Sequence, residues 1–195
     1  MNVEQARFNM IEQQIRPWDV LDTSVLSLLS IVHREDFVPA AHRSLAFMDM
    51  EVPLAGGKAM LAPKLEARLV QDLSLAKEET ALLIGAATGY MAALMAHLAQ
   101  RVVAIDSDAS LVSAARANLK KAGIGNVEVA QADGTQGYPG KAPYDAILLA
   151  GSVADPLLRY AVQVQDRIAQ ALRYPSREKE MGIGGRVKLR LPLLR

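Results

Sequence analysis

At 195 residues the chain is long enough for one domain of ordinary size and too short for two full ones, and with 51% hydrophobic and 22% charged residues it has the balance of a core-forming protein, not of a disordered segment. The absence of cysteine excludes disulfides, thiolate nucleophiles and cysteine-type zinc sites, and His33, His42 and His97 lack the close helical spacing that puts two imidazoles on one ion, so no metal site is expected. The formal charge of +1 is unevenly placed: residues 1–158 hold 13 Lys and Arg against 18 Asp and Glu, whereas residues 159–195 hold 9 against 3.

The N-terminus, with Asn2, Glu4, Gln5 and Arg7, lacks a basic region followed by an apolar stretch, which predicts a cytoplasmic protein. A first helix is predicted over Glu4 to Ile15, with Phe8, Ile11 and Ile15 on one stripe, ended by Pro17. Asp22 or Thr23 caps a second through Val32, whose apolar face is Val25, Leu26, Leu28, Leu29 and Val32. A stretch holding Pro39, Pro53, Gly56, Gly57 and Pro63 reads as a shaped loop, and helix resumes from Lys64 to Leu75.

From Ala81 the periodicity changes. Ala81 to Ala99 carries no formal charge and approaches the length of a membrane span, but Gly85, Thr88 and Gly89 interrupt it as a strand, a turn and a helix would. Predicted strands are Ala81 to Ile84, Val102 to Ile105, Val127 to Ala130 and Ala146 to Ala150. Between them lie a helix over Tyr90 to Gln100 and one for which Ser107 and Asp108 are both available caps and which runs to Lys121, with Gly123 just beyond it. Leu157 to Leu172 reads as helix, and residues 184–192 as a fifth strand with Val187, Leu189 and Leu191 on one face.

Short apolar strands alternating with helices define an α/β fold, a doubly wound, mostly parallel sheet covered on both faces, with an N-terminal helical cap. In such sheets the ligand sits beyond the carboxyl ends of the strands, where the winding direction switches. Gly85-Ala86-Ala87-Thr88-Gly89 joins the first strand to its helix, and glycine at the strand end permits a sharp turn that a ligand approaches closely. Asp106 stands seventeen positions after Gly89 at the tip of the second strand, where a carboxylate accepts hydrogen bonds from ribose hydroxyls; the bland alternative is helix capping. Asp133, followed by Gly134 at the tip of the third strand, either accepts from an adenine amino group or makes an Asp-Gly turn. A dinucleotide requires a G-x-G-x-x-G turn to seat its pyrophosphate, but this turn has Gly85, Ala87 and Gly89 followed by Tyr90. S-adenosylmethionine has no phosphate and tolerates that bulk.

Four segments resemble the protein-L-isoaspartate O-methyltransferase family: VHREDFVP at 32–39, AFMDMEVPLAGGKAMLAP at 46–63, LLIGAATGYMAALMAHLA at 82–99 and QADGTQGYPGKAPYDAILLAG at 131–151. The likeness covers roughly residues 5 to 152. It implies a Rossmann-like class I methyltransferase that uses S-adenosylmethionine to methylate the free carboxylate of isoaspartyl residues in damaged proteins, with Gly85, Ala87, Gly89, Asp106, Asp133 and Gly134 at cofactor positions. Length and element pattern together read as one domain over residues 1–195, comprising a cap and substrate loop at 1–80, a cofactor-binding core at 81–152 and an atypical helix and strand at 153–195, the last lying beyond the resemblance.

The departures fall mostly where substrate chemistry would be. The family's T-I-S-Q-P segment becomes Ala59, Met60, Leu61, Ala62 and Pro63, without hydroxyl donors. Leu83 replaces an acidic residue that would partner the cofactor's methionyl ammonium, and Ala87 replaces a glycine. The family continues into a further strand pair, and Lys188, Arg190 and Pro192 are the residues here that would discourage an exposed sheet edge from pairing.

Methyl transfer to an ionised carboxylate needs orientation and dryness more than a base, so no catalytic dyad is predicted, and the cap and the 51–63 loop are expected to close over the methyl group. The expected partner is a protein or peptide substrate, with neither membrane nor nucleic acid, because the basic tail lacks the interleaved aromatic residues that stack on bases. The alternative that the residues leave open is a cofactor-binding protein of the same fold whose acceptor activity is altered or lost.

Overall fold

The computed structural model describes residues 2–150 and 188–190. Helix α1 (Val3–Met10) begins at an Asn2 cap and runs on through a π-helical segment, Ile11–Ile15, and a 3₁₀ turn, Arg16–Trp18. Its buried stripe is Arg7, Met10, Ile11 and Ile15, whereas Phe8 is 58% exposed. The predicted stripe therefore held for Ile11 and Ile15 and failed for Phe8. The buried face is the one turned toward Glu35, whose carboxylate accepts from Arg7, and Phe8 stands one residue off that face.

Helix α2 (Thr23–Ile31) is capped by Asp22, whose carboxylate accepts from the amides of Ser24 and Val25, so Thr23 is the first helical residue and not the cap. Val25, Leu28, Leu29 and Val32 are buried, and Leu26 packs at the edge of the core. The loop read between prolines contains a small antiparallel ladder, β1 (Val52–Pro53) with β2 (Ala59–Met60), closed by a turn in which Gly56 and Gly57 have positive φ. Helix α3 (Pro63–Leu73) starts on a proline, whose missing N–H costs nothing at a first turn. It stops where Ser74 adopts φ 45°.

The sheet contains β3 (Thr80–Ile84), β4 (Arg101–Asp106), β5 (Val127–Gln131), β6 (Ala146–Leu149) and β7 (Lys188–Arg190), in the order β5-β4-β3-β6-β7, all parallel. Helix α4 (Tyr90–Leu98) follows β3 and α5 (Ala109–Lys121) follows β4. The winding reverses between β3 and β6, so the switch point lies beyond Ile84 and Leu149.

Side chains alternate across the sheet as the pleat requires. Ala81, Leu83, Val102, Ala104, Ala146 and Leu148 face one core, which they share with α1–α5. Leu82, Ile84, Val103, Ile105, Ile147 and Leu149 face a second, with Tyr144 buried among them and Tyr138 packed against it. The predicted helix over Leu157 to Leu172 lies outside the described residues. Of the predicted fifth strand, 188–190 is seen beside β6, and Val187, Leu191 and Pro192 are outside.

The interrupted apolar stretch at 81–99 is β3, a turn and α4, and no helix among the described residues is long and apolar enough to cross a membrane.

Candidate functional site

At the switch point a cleft of about 150 Å³ opens above the carboxyl ends of the strands. Five of its lining residues are among those the sequence singles out: Gly85 and Ala87 from the turn after β3, Asp106 at the end of β4, and Asp133 with Gly134 after β5. Gly89 is not in the wall. Its φ of +94° lets the chain turn into α4, and a Cβ there would lie 3.2 Å from the backbone of Ala115, so it allows α4 and α5 to pack closely.

The turn is tied down by hydrogen bonds. Both the Gly85 and Ala86 amides donate to the carbonyl of Ile105 at 2.9 Å, which joins the end of β3 to the end of β4. Ala87 has φ 48°, a left-handed conformation in which a Cβ is strained, and it occupies the position where glycine was expected.

Asp106 is 5% exposed and its carboxylate is well engaged. Oδ2 accepts from the Ala87 amide at 3.0 Å, while Oδ1 accepts from the Asp108 amide at 3.0 Å and from Lys58 Nζ at 2.5 Å. The carboxylate thus braces the glycine turn. Of the two caps available in the sequence, the structure uses Asp108, which accepts from Ser110 and Leu111, while Ser107 Oγ accepts from Lys58 Nζ at 3.0 Å. Bonds from Ser110 hold the Asp108 carboxyl below its usual range.

Asp133 is exposed, and its Oδ1 accepts from the Thr135 amide at 3.0 Å while Oδ2 takes no hydrogen bond among the described residues. One oxygen thus makes the Asp-Gly turn, and the residue also lines the cleft. Gly134 sits hard against β3: a Cβ there would come within 2.2 Å of Ile84 Cγ2, itself in the wall.

Lys58 and Ala59 complete the cleft from the 51–63 hairpin. The hairpin comes close to the β4–α5 connection, since a Cβ at Gly56 would stand 3.2 Å from Asp108 Oδ2. Sequence reading named Ala59 as a lost hydroxyl but missed Lys58, which lies 48 positions from its partner and has no local signal beyond the charge itself.

A narrower recess adjoins the cleft and shares Ala59, Gly85, Ala87 and Ala150 with it. Leu61, Glu66, Thr88 and Tyr90 line its far end. Glu66 is 3% exposed and its Oε2 accepts from Arg34 Nε at 2.9 Å. Arg34 in turn donates to the carbonyls of Ala46 at 2.7 Å and Leu61 at 2.8 Å. Burial pushes the Glu66 carboxyl above its ordinary range, with Arg34 opposing the shift, and burial likewise raises the Tyr90 phenol. Neither Arg34 nor Glu66 was singled out from the sequence; each reads there as an ordinary surface charge.

Comparison with known proteins agrees with this geometry. Residues 5–158 match the family model of protein-L-isoaspartate(D-aspartate) O-methyltransferase. The protein-L-isoaspartate O-methyltransferase of Rhodopseudomonas palustris is 38% identical over 166 residues, covering 85% of this chain and 75% of that one. A solved protein-L-isoaspartate O-methyltransferase superposes with a TM-score of 0.61 at 25% identity over 75% of this chain, which spans 47% of that structure. The fold is also that of a Plasmodium falciparum protein assigned to the same family and crystallised with S-adenosyl-L-homocysteine, at TM-score 0.62 and 19% identity, covering 84% of this chain and 79% of the other. With the glycine turn, the acidic strand end and the strand order now joined to a match over most of its length, the chain belongs to the protein-L-isoaspartate(D-aspartate) O-methyltransferase family of S-adenosylmethionine-dependent methyltransferases.

Proposed function

We propose that this chain binds S-adenosylmethionine in the cleft above β3 and β4 and methylates the free carboxylate of isoaspartyl residues in damaged protein, the first step of a repair cycle in the cytoplasm. The observation that carries the reading is the Asp106 carboxylate, buried at the end of β4 and hydrogen-bonded to the turn that borders the same cleft. A nucleoside seated there meets an acceptor for ribose hydroxyls at Asp106 and a second acceptor for an adenine amino group at Asp133 Oδ2, between the apolar side chains of Ile84, Ile105 and Leu149. Gly85, Ala87 and Gly134 keep that floor free of bulk.

Bound S-adenosylmethionine supplies a methyl group already activated by its sulfonium. The chain's own residues then have to orient the acceptor and exclude water. An isoaspartyl carboxylate is ionised at neutral pH, so no residue need take a proton. Lys58, the cation in the cleft wall, sits where it offers that carboxylate a counter-charge once Asp106 is engaged by the ribose. This compensates for the hydroxyls missing at Ala59 and Leu61. Family membership and the intact nucleoside floor favour an active enzyme over a binding protein of the same fold. The domain division into a cap at 1–80, a core at 81–152 and an ending at 153–195 belongs to this reading.

The test is transfer of label from S-adenosylmethionine to an isoaspartyl peptide and to its aspartyl counterpart. Label in the isoaspartyl peptide alone is expected, and cofactor binding without transfer to either would remove the acceptor assignment. Asp106→Ala is expected to weaken cofactor binding by more than about tenfold in calorimetry, the scale of a charge-assisted hydrogen bond. Unchanged affinity would remove Asp106 from the site.

A further inference from the structure

The acid expected at the end of the first core strand is absent. Leu83 stands there, 0% exposed and directed into the core shared with the cap, and it lines neither the cleft nor the recess. If the adenosine lies in the cleft, the amino-acid end of the cofactor extends past Gly85 and Ala87, the residues shared with the recess. That end carries one ammonium and one carboxylate, and both need partners when taken out of water.

We propose that Glu66, brought in from helix α3, replaces the missing strand acid and binds the ammonium of the cofactor's methionyl group, with the Thr88 hydroxyl beside it as a second polar contact.

Three observations carry this. First, Glu66 is buried in the wall of the recess, and only Oε2 is used by Arg34; Oε1 accepts no hydrogen bond among the described residues. Second, Thr88 is 3% exposed and Tyr90 is 2% exposed, and neither hydroxyl has a hydrogen-bond partner among the described residues, although both residues line the same recess. Buried polar atoms left unsatisfied are costly, and several together at one recess mark a place completed by a polar ligand. Third, Arg34 is clamped by two carbonyls, of Ala46 and Leu61, so the carboxylate it holds is fixed in direction before any ligand arrives.

The charge of the recess decides which group enters. Arg34 directs each of its three nitrogens at Glu66 or one of the two carbonyls and does not line the recess, which leaves the free Glu66 oxygen as the charged group presented there. The acceptor's carboxylate is therefore repelled, and an ammonium is attracted. Burial, which penalises an under-compensated carboxylate, makes a second cation favourable at this position.

The inference rests on the cofactor reading above, and its test separates the two. Affinities of the full chain for S-adenosylhomocysteine and for methylthioadenosine, which keeps the adenosine and thioether but lacks the amino-acid end, are measured by calorimetry for the wild type and for Glu66→Gln. Loss of about tenfold or more for S-adenosylhomocysteine, with methylthioadenosine unchanged, is the expected result. An equal effect on both ligands, or none on S-adenosylhomocysteine, overturns the role of Glu66 while leaving the cofactor site standing. A wild type that binds neither ligand overturns the cofactor reading and this one together. Should Glu66→Gln fail to fold, the isosteric Thr88→Val is read with the same two ligands: a loss confined to S-adenosylhomocysteine supports the proposal, and equal affinities for wild type and variant overturn it.

Discussion

Ala87 carries a Cβ at a backbone angle that favours glycine, φ 48°, in the turn that borders the switch-point cleft. Left-handed backbone costs a non-glycine residue roughly 1–2 kcal/mol, and glycine gives part of that back through its freedom in the unfolded chain. Ala87→Gly is accordingly expected to stabilise the fold by about 1 kcal/mol in urea unfolding, with the slope unchanged; a loss of stability would mean that the Ala87 methyl packs usefully. The same residue donates its amide to Asp106. Strain at the turn and orientation of the Asp106 carboxylate are thus two ends of one hydrogen bond, and a local sequence pattern shows only the spacing between them.

At the scale of elements, the helices differ in how their first turns are satisfied. Asp22 accepts from Ser24 and Val25 at the start of α2, whereas α3 begins at Ala62 with no side-chain cap. Bonds from the Ser24 hydroxyl and amide lower the Asp22 carboxyl below its ordinary value. A carboxyl depressed in the folded state contributes stability that is present above its unfolded value, near 3.8, and is lost as pH falls through the folded one. Asp22→Ala is expected to cost about 1 kcal/mol at neutral pH, and the gap between variant and wild type should close in melts taken below about pH 3. A gap that persisted there would assign the loss to packing and not to the cap. The hairpin of β1 and β2 is the element least visible in sequence, because each strand has only two residues and its value lies in carrying Lys58 and Ala59 to the cleft.

Over the molecule as a whole, one buried ion pair ties the cap to the recess. Arg34 lies between α2 and the hairpin and Glu66 lies on α3, and the guanidinium also holds the carbonyls of Ala46 and Leu61. Removing one partner of a buried pair leaves the other uncompensated, at roughly 3–5 kcal/mol. Arg34→Met should therefore lower stability by at least about 3 kcal/mol in denaturant unfolding, while Arg34→Met combined with Glu66→Leu should recover a good part of that. No recovery would mean that the carbonyl contacts, not the charge pair, hold the cap. The basic segment at 159–195 lies outside the described residues apart from 188–190, so the charge asymmetry read from the sequence has no place in this account of the site.

The sequence by itself determined the alternation of strands and helices, the glycine turn, and the two acids at strand ends. These are local signals: apolar runs of four or five residues, glycine at a sharp turn, and a carboxylate at or just past a strand end. The boundaries of β3 to β6 came out within one residue for the same reason. What tertiary structure decided was every relation between residues far apart in the chain. Asp106 meets Lys58 and Ala87, Gly134 presses on Ile84, and Arg34 finds Glu66. Between the two candidate caps of α5, Asp108 accepts the first-turn amides while Ser107 meets Lys58. Phe8 turned outward because the buried side of α1 was set by what it packs against. Pairing energies of this kind depend on burial and distance, and neither is written in spacing along the chain.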